Sequence, residues 1–254
     1  MENKNKIALV TGGSRGLGKD MALRLAEKGI DVIITYNSKA DEAQNVVGQI
    51  LQSGRKAAAL QLNTGDTKSF DSFINQLKDT LTDKFGTDHI DFLVNNAGIG
   101  GYKLIGEVTE EFFDELLNIH FKGVYFLTQS MLPLINDGGG IVNVSSGLTR
   151  ITFPRSSAYA AMKGAIEVFT RYLAKELGAR GIKANTIAPG AVMTDFGGAH
   201  LRESEESQKQ VSAVTALGRP GVAEDIGGVV AFLCTEDASW VNGQRIEISG
   251  GLLL

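Results

Sequence analysis

Apolar positions along the chain follow two alternating rhythms. Short, almost continuously apolar runs rich in β-branched residues occur at KIALVT (6–11), DVIITY (31–36), KAAALQL (56–62), IDFLVN (90–95), GIVNVS (140–145), IKANTIA (182–188) and QRIEI (244–248). Runs of this kind predict strands buried on both faces. Between them, over 16–28, 39–53, 67–84, 109–136, 157–179 and 222–234, apolar residues recur at the helical period. Strands alternating with crossover helices predict an α/β fold: one doubly wound sheet of about seven parallel strands, covered by helices on both faces.

Punctuation supports the same division. Gly29, Gly54 and Gly181 stand where helix ends need a residue tolerant of positive φ. No linker, repeat or low-complexity tract interrupts the chain, so 1–254 reads as a single dinucleotide-binding and catalytic domain. One segment breaks the alternation. Residues 194–217 contain HLRESEESQKQ and no strand pattern, which reads either as a lid over a site or as a solvated surface helix.

Composition narrows the partners. The chain is 43% apolar and 21% charged, proportions of a globular protein with a sizeable core. A net charge of −4 offers no basic field for nucleic acid or an anionic membrane surface. The polar start, MENKNK, carries no signal-peptide core, and no apolar run approaches the ~20 residues a membrane helix needs, so a cytoplasmic location is expected. The single cysteine, Cys234 in VVAFLCTED, excludes an internal disulfide and reads as a small core residue. His89, His120 and His200 are scattered and show no ligand spacing, so no catalytic metal is expected.

Candidate chemistry begins at the first strand's end. Thr11-Gly12-Gly13-Ser14-Arg15-Gly16-Leu17-Gly18 leads directly into a helix. A glycine turn there lets the backbone approach a pyrophosphate and aims free N–H groups and the helix dipole at it. The second strand ends in Thr35-Tyr36-Asn37-Ser38-Lys39, without the acidic residue that would hold a ribose 2′-hydroxyl, and Asp31 lies at the wrong end. Arg15 and Lys39 are suited to a 2′-phosphate, which favours NADP(H) over NAD(H).

Tyr159 and Lys163 lie four residues apart in SAYAAMK and share one helix face. A phenol with pKa about 10 needs roughly 4 kcal/mol of phenolate stabilisation to work ~3 units lower. Ser145-Ser146 ends the fifth strand, Asn118 is a polar residue within the apolar stretch ELLNIHFKG, and Asn95-Asn96-Ala97-Gly98 ends the fourth strand at the same edge.

Together TGGSRGLG, NNAG, Asn118, Ser146, YAAMK, Pro189-Gly190 in IAPGAVMTDF and the ending Ile248-Ser249-Gly250-Gly251 resemble the short-chain dehydrogenase/reductase family, in order and spacing, over essentially the whole chain. The resemblance implies a Rossmann-type fold and hydride transfer between NADP(H) and a small carbonyl or secondary alcohol. It implies Tyr159 as general acid/base, Ser146 as hydrogen-bond donor to the substrate oxygen, Lys163 on the nicotinamide ribose, and Asn118 anchoring a water relay. The cofactor contacts it implies are Gly12, Ser14, Arg15, Gly16, Leu17, Gly18, Tyr36, Asn37, Ser38, Asn63, Asn95, Ala97, Gly98, Tyr159, Lys163, Pro189, Gly190, Val192 and Thr194. Ser145 is expected to support the turn and Ile187 or a backbone neighbour to brace the carboxamide. Asn63 stands where the family usually has an adenine-binding Asp, which implies a weaker contact.

By the same resemblance the substrate pocket is expected from Ile99 to Leu104, Gly147 to Arg155 and 194–217, with Arg150 and Arg155 either greeting an anionic group or else solvated or at a subunit contact. A homotetramer through the two long helices and the C-terminal region is also implied. A 3-oxoacyl carrier-protein reductase ranks second, because MLPLINDGGG (131–140) carries no basic residue, although Arg171, Lys175 and Arg180 are nearby. A nicotinamide-nucleotide sensor without turnover is the reading from a different class, and it would not need Tyr159, Lys163 and Ser146 together.

Overall fold

A computed structural model describes residues 5–254, so most of the polar start, 1–4, lies outside the described residues. Seven parallel strands form one sheet in the order β3-β2-β1-β4-β5-β6-β7: β1 Ile7–Val10, β2 Asp31–Tyr36, β3 Ala57–Gln61, β4 Ile90–Asn95, β5 Ile135–Val144, β6 Lys183–Pro189 and β7 Arg245–Ile248. Because side chains alternate along a strand, β1 feeds two cores. Ala8 and Val10 pack with Met21 and Leu25 of α1 (Gly16–Glu27), Val46 and Ile50 of α2 (Ala40–Gln52) and Val230 of α9 (Glu224–Leu233). Ile7 and Leu9 pack on the other face with Leu77 of α3 (Phe70–Thr80), Leu127 of α5 (Gly123–Met131) and Leu173 of α6 (Ser157–Glu176).

The winding reverses between β1 and β4, and at such a point the connections leave in opposite directions and open a crevice at the strands' C-terminal ends. Glycine completes the helix exits: Gly29, Gly54 and Gly181 have φ of 83°, 80° and 66°.

Two expected helices are divided. The stretch 109–136 forms α4 (Glu110–Leu117), a π turn at Asn118–Lys122, α5, and a 3-10 turn at Leu132–Leu134, after which Ile135 already opens β5. Pro133 lies in that last turn, where its missing N–H cannot extend the α-helical ladder. The longer β5 runs close beside β4; a Cβ at Gly139 would sit 2.3 Å from the Asp91 carbonyl oxygen. The stretch 67–84 likewise begins as a 3-10 turn and ends in a π turn, closed by Gly86 at φ 72°.

Residues 194–217 are ordered around two short helices, α7 (His200–Glu203) and α8 (Glu205–Ala213). Their far end is tied to the C-terminus: Ala216 N–H donates to the Gly251 carbonyl and Leu217 N–H to that of Gly250. Among the described residues no helix is long and apolar enough to cross a membrane.

Candidate active site

A cleft of about 680 Å³ follows the C-terminal edge of the sheet from the first turn to the 194–217 segment. At its head, Gly12 and Gly16 adopt φ of 66° and 54°, and a Cβ at Gly18 would lie 2.2 Å from the Gly12 carbonyl oxygen. The turn is braced by neutral groups. Asn96 Nδ2 donates to the carbonyls of Thr11 (2.9 Å) and Gly12 (3.2 Å), and Gly12 N–H donates to Thr35 Oγ1 (3.2 Å). No side chain caps α1, so its first-turn N–H groups remain available to an anion in the cleft.

Beside this cradle the cleft is lined by Ser14, Arg15, Leu17, Tyr36, Asn37, Ser38 and Lys39, and no carboxylate stands at the end of β2. The two cations already have partners, Arg15 with Asp195 at 3.7 Å and Lys39 with Glu42 at 3.9 Å. These are long, exposed pairs that a phosphate dianion would outcompete. Asn63 also lines the cleft, its Oδ1 accepting the Gly65 N–H at 3.0 Å, which holds the amide in a local turn. The donor set and the open backbone fit a dinucleotide carrying an extra phosphate on its adenosine ribose.

Farther along, α6 presents Tyr159 and Lys163 one turn apart, both on the cleft and both buried. Lys163 Nζ donates to the Val144 carbonyl at 2.8 Å, which fixes its position and leaves two N–H donors. Burial pushes the Lys163 ammonium down to about 7. It also pushes the Tyr159 phenol above its usual range, the neighbouring Tyr102 phenol adds to this, and a hydrogen bond with Ser146 opposes it. Lys163 Nζ lies 5.6 Å from the centroid of the Tyr159 ring. Ser146 sits at the exit of β5, its Oγ accepting the Leu148 N–H at 3.2 Å.

The π turn places a residue that pattern reading set aside. His120 is fully buried, lines the cleft, and meets the Tyr159 ring edge-on at 5.0 Å. Nε2 lies 2.8 Å from the Ile99 carbonyl, a donor geometry that leaves Nδ1 as a lone-pair acceptor with no protein partner. Burial, reinforced by the charge of Lys163 and opposed by the Ile99 bond, pushes the imidazole down to about 3, so it is neutral. Asn118 opens the same turn and is not among the residues lining the cleft. Neither periodicity nor metal-ligand spacing singles out a lone histidine; the signal available was its place two residues beyond Asn118 in an apolar stretch.

Of the remaining expected contacts, Gly98, Ala97, Pro189, Gly190, Val192 and Thr194 all line the cleft. Asn95 does not: it is buried under the sheet edge, Nδ2 donating to Thr128 Oγ1 (3.0 Å) and Asn143 Oδ1 (2.8 Å), and its neighbour Asn96 faces the cleft instead. Strand alternation is the reason, since Asn95 is still a strand residue while Asn96 is past the end. Ile187 is fully buried within β6 and reaches no cleft surface. Arg150 pairs with Glu247 (3.4 Å) and Arg155 Nη2 donates to the Tyr102 carbonyl (3.4 Å), so neither cation faces the cleft.

The other end of the cleft is lined by Ile99, Tyr102, Leu148, Ile151, Phe153, Phe196 and Leu201. Cys234 lies in the core, its thiol pushed up to about 12 by burial. No group of three or more His, Cys, Asp or Glu that could hold a metal occurs among the described residues.

Known proteins match along the whole chain. A family model described as Enoyl-(Acyl carrier protein) reductase matches residues 12–253. The hydroxynaphthalene reductase-like protein Arp2 of Metarhizium brunneum is 38% identical over 257 residues, covering 97% of this chain and 94% of that protein. The angucycline C-6 ketoreductase LanV, solved with bound NADP, superposes with a TM-score of 0.93 at 36% identity, over 99% of this chain and 97% of that one. A short chain dehydrogenase from Burkholderia cenocepacia, solved in complex with NADP, superposes with a TM-score of 0.88 at 36% identity, over 97% of each chain.

Proposed function

The chain belongs to the short-chain dehydrogenase/reductase family, and from that premise we propose that it reduces the ketone of a flat, largely apolar, aromatic substrate with NADPH, Tyr159 supplying the proton. The observation that carries this reading is the meeting of Tyr159, Ser146 and Lys163 at one point of the cleft, between the glycine cradle and the apolar end.

When bound, the dinucleotide supplies the hydride. Ser146 Oγ and the Tyr159 hydroxyl hydrogen-bond the carbonyl oxygen, and as charge develops there the Tyr159 O–H bond breaks and the alcohol O–H forms. Lys163, anchored on Val144, turns its remaining N–H groups to the nicotinamide ribose and stabilises the phenolate left on Tyr159. The phenol, which burial pushes upward, would also be favoured as phenolate by the positive charge that an oxidised nicotinamide supplies when bound beside it. Cofactor choice follows from Arg15, Ser38 and Lys39 at the adenosine end and agrees with the NADP held by LanV and the Burkholderia protein.

For the substrate, the lining of Tyr102, Phe153 and Phe196 suits a planar ring system, the kind of compound named for the hydroxynaphthalene and angucycline reductases. Phe196, Leu201 and Val211 of the 194–217 segment line the cleft. A carrier-linked acyl substrate is the second reading, favoured by the matching model's description; against it, Arg180 is spent on Asp137 and on the Leu132 carbonyl. Exposed Tyr125, Phe126, Val168 and Tyr172 on α5 and α6 support a homotetramer built on those helices, which sedimentation as a monomer would contradict.

The test is NADPH oxidation with aromatic ketones, alkyl ketones and acyl thioesters, for the native protein and Tyr159→Phe. Aromatic ketones should be turned over fastest, and the substitution should lower kcat by about 10²–10⁴-fold. Equal turnover by Tyr159→Phe would sink the proton-donor role, and a preference for thioesters would transfer the assignment to the second reading.

A further inference from the structure

Ser146 has to hold its hydroxyl against one oxygen, yet it stands in a short turn after β5 that contains no proline and whose apolar anchor is Leu148, packed against Leu116, Ala158, Tyr159 and Met162. What holds that turn comes from far away. Glu167 lies one helical turn beyond Lys163 and two beyond Tyr159, on the same line of α6. Its Oε1 accepts three hydrogen bonds: from Ser145 Oγ (2.8 Å), Thr149 Oγ1 (2.7 Å) and Arg245 Nε of β7 (2.7 Å). Arg245 Nη2 in turn donates to Thr149 Oγ1 (3.1 Å) and to the Ser146 carbonyl (3.3 Å), while Nη1 donates to Glu247 Oε2 (2.9 Å). Side-chain exposures are 12% for Arg245 and 15% for Glu167, so this is a nearly dry ion pair and not a surface one.

Ion pairs so placed are poor devices for stability alone, because desolvation consumes most of the attraction, but their geometry is narrow. Here each end of the pair grips a different part of the same turn. Ser145, on the near side of Ser146, donates its hydroxyl to the carboxylate, with the Lys163 carbonyl 3.2 Å away; Thr149, on the far side, is bound to both members of the pair. The helix carrying Tyr159 and Lys163 is thereby locked to the turn carrying Ser146.

We propose that Glu167 and Arg245 are positioning residues of the reaction, which set the distance between the Ser146 hydroxyl and the Tyr159–Lys163 face of α6. The proposal rests on the function assigned above. Its content is geometric: the carboxylate must reach Ser145, Thr149 and Arg245 at once, and the guanidinium must fork between Glu167 and the Ser146 carbonyl. Charge in the right neighbourhood is not sufficient.

The experiment compares Glu167→Gln, Glu167→Asp, Arg245→Lys and Tyr159→Phe in the NADPH-bound protein. Glu167→Gln and Arg245→Lys should lower kcat at least tenfold, leave the NADPH dissociation constant within twofold, and raise the isotope effect from deuterium at the transferred position, because hydride transfer becomes the slow step. Glu167→Asp keeps the charge but falls a methylene short, so it should lose as much as Gln. Hydrogen–deuterium exchange gives a readout independent of turnover: amides of 145–151 should exchange at least tenfold faster in Glu167→Gln, with 164–176 unchanged. A kcat within twofold of native with only a lowered melting temperature would reduce the pair to a structural role, as would full activity in Glu167→Asp or unchanged exchange at 145–151. If Tyr159→Phe keeps its activity the assigned function fails; if only the exchange and isotope results fail, the function stands and the positioning role does not.

Discussion

Two turns at the same edge of the sheet solve opposite problems. The first, Gly12 to Gly18, is braced from within the fold by neutral groups, the Asn96 amide, Thr35 and backbone carbonyls, its one ion pair, Arg15 with Asp195, being long and exposed. The second, Ser145 to Thr149, is framed by a carboxylate, a guanidinium and an ammonium, all nearly buried. A turn that receives a phosphate works through unspent N–H groups and a helix dipole, and a buried carboxylate in its frame would repel the ligand. A turn that must hold one hydroxyl still gains from short, charge-assisted bonds whose directions cannot drift. Binding a charge and placing a hydroxyl therefore leave different marks on a chain, local glycines in one case and distant ionic partners in the other.

The contrast is broken most sharply at Lys163, since only the second turn carries a charge that burial resists. Its folded pKa of about 7 lies below the unfolded value of 10.5, so between those pH values the unfolded chain binds more protons than the native one. Stability should therefore rise with pH across that window, by about 1.4 kcal/mol per pH unit, and be flat in this respect below it. Lys163→Met removes the titrating group. Urea unfolding of both proteins at pH 7 and pH 10 should show the native protein gaining several kcal/mol relative to the variant; parallel curves would mean the ammonium is not buried as described.

At the first turn the corresponding break is steric. Gly18→Ala sets a methyl against the Gly12 carbonyl, where a Cβ would be 2.2 Å from the oxygen and backbone must move. Overpacking of this kind costs about 3 kcal/mol at the upper end of its usual range, or roughly a hundredfold in the NADPH dissociation constant. Gly48→Ala is the control, because nothing lies within 4 Å of a Cβ there and α2 should only gain helix propensity. Equal NADPH binding by Gly18→Ala and Gly48→Ala would show that the cradle tolerates a different backbone path.

The same contrast explains what is legible in the sequence and what is not. All seven strands follow from apolar runs, to within a residue or two except where β5 begins earlier at Ile135, because burial on both faces leaves an unbroken local pattern. The glycine turn and the Tyr159–Lys163 pair are legible for a like reason, since each is a local spacing. Glu167 and Arg245 are 78 residues apart and read separately as ordinary helix and strand charges; nothing local joins them to Ser146. His120 escaped because a π turn resets the phase of the helix, so the face it presents cannot be counted from a 3.6-residue period. Asn95 and Asn96 differ only in which side of the strand's end they occupy, and a run of like residues across that boundary does not say which of them turns to the cleft.

A smaller effect sharpens the account of the first turn's charge. Arg15 is the cleft cation nearest the cradle, half exposed and loosely paired with Asp195. Arg15→Ala should weaken NADPH by about tenfold, as expected for one exposed charge-assisted contact, and leave NADH nearly unchanged. Measured as the ratio of kcat/KM for the two cofactors, the preference should narrow by that factor. An equal loss for both would put Arg15 on the pyrophosphate, and the discrimination would then rest with Ser38 and Lys39.

The smallest effect tests whether the second turn depends on its ionic frame as a unit. Thr149 Oγ1 donates to Glu167 Oε1 and lies 2.9 Å from the Ser146 carbonyl, while accepting from Arg245. Thr149→Val keeps the shape and deletes the hydroxyl, which should cost about 1 kcal/mol of stability and a few-fold in kcat. In a background already carrying Glu167→Gln, the same change should cost much less, because the bond it removes has lost its charged acceptor and the turn is already free. Additive losses would mean that Thr149 supports Ser146 alone. The hydroxyl's position would then be set within the turn itself, and the two turns would differ in the strength of their frames but not in kind.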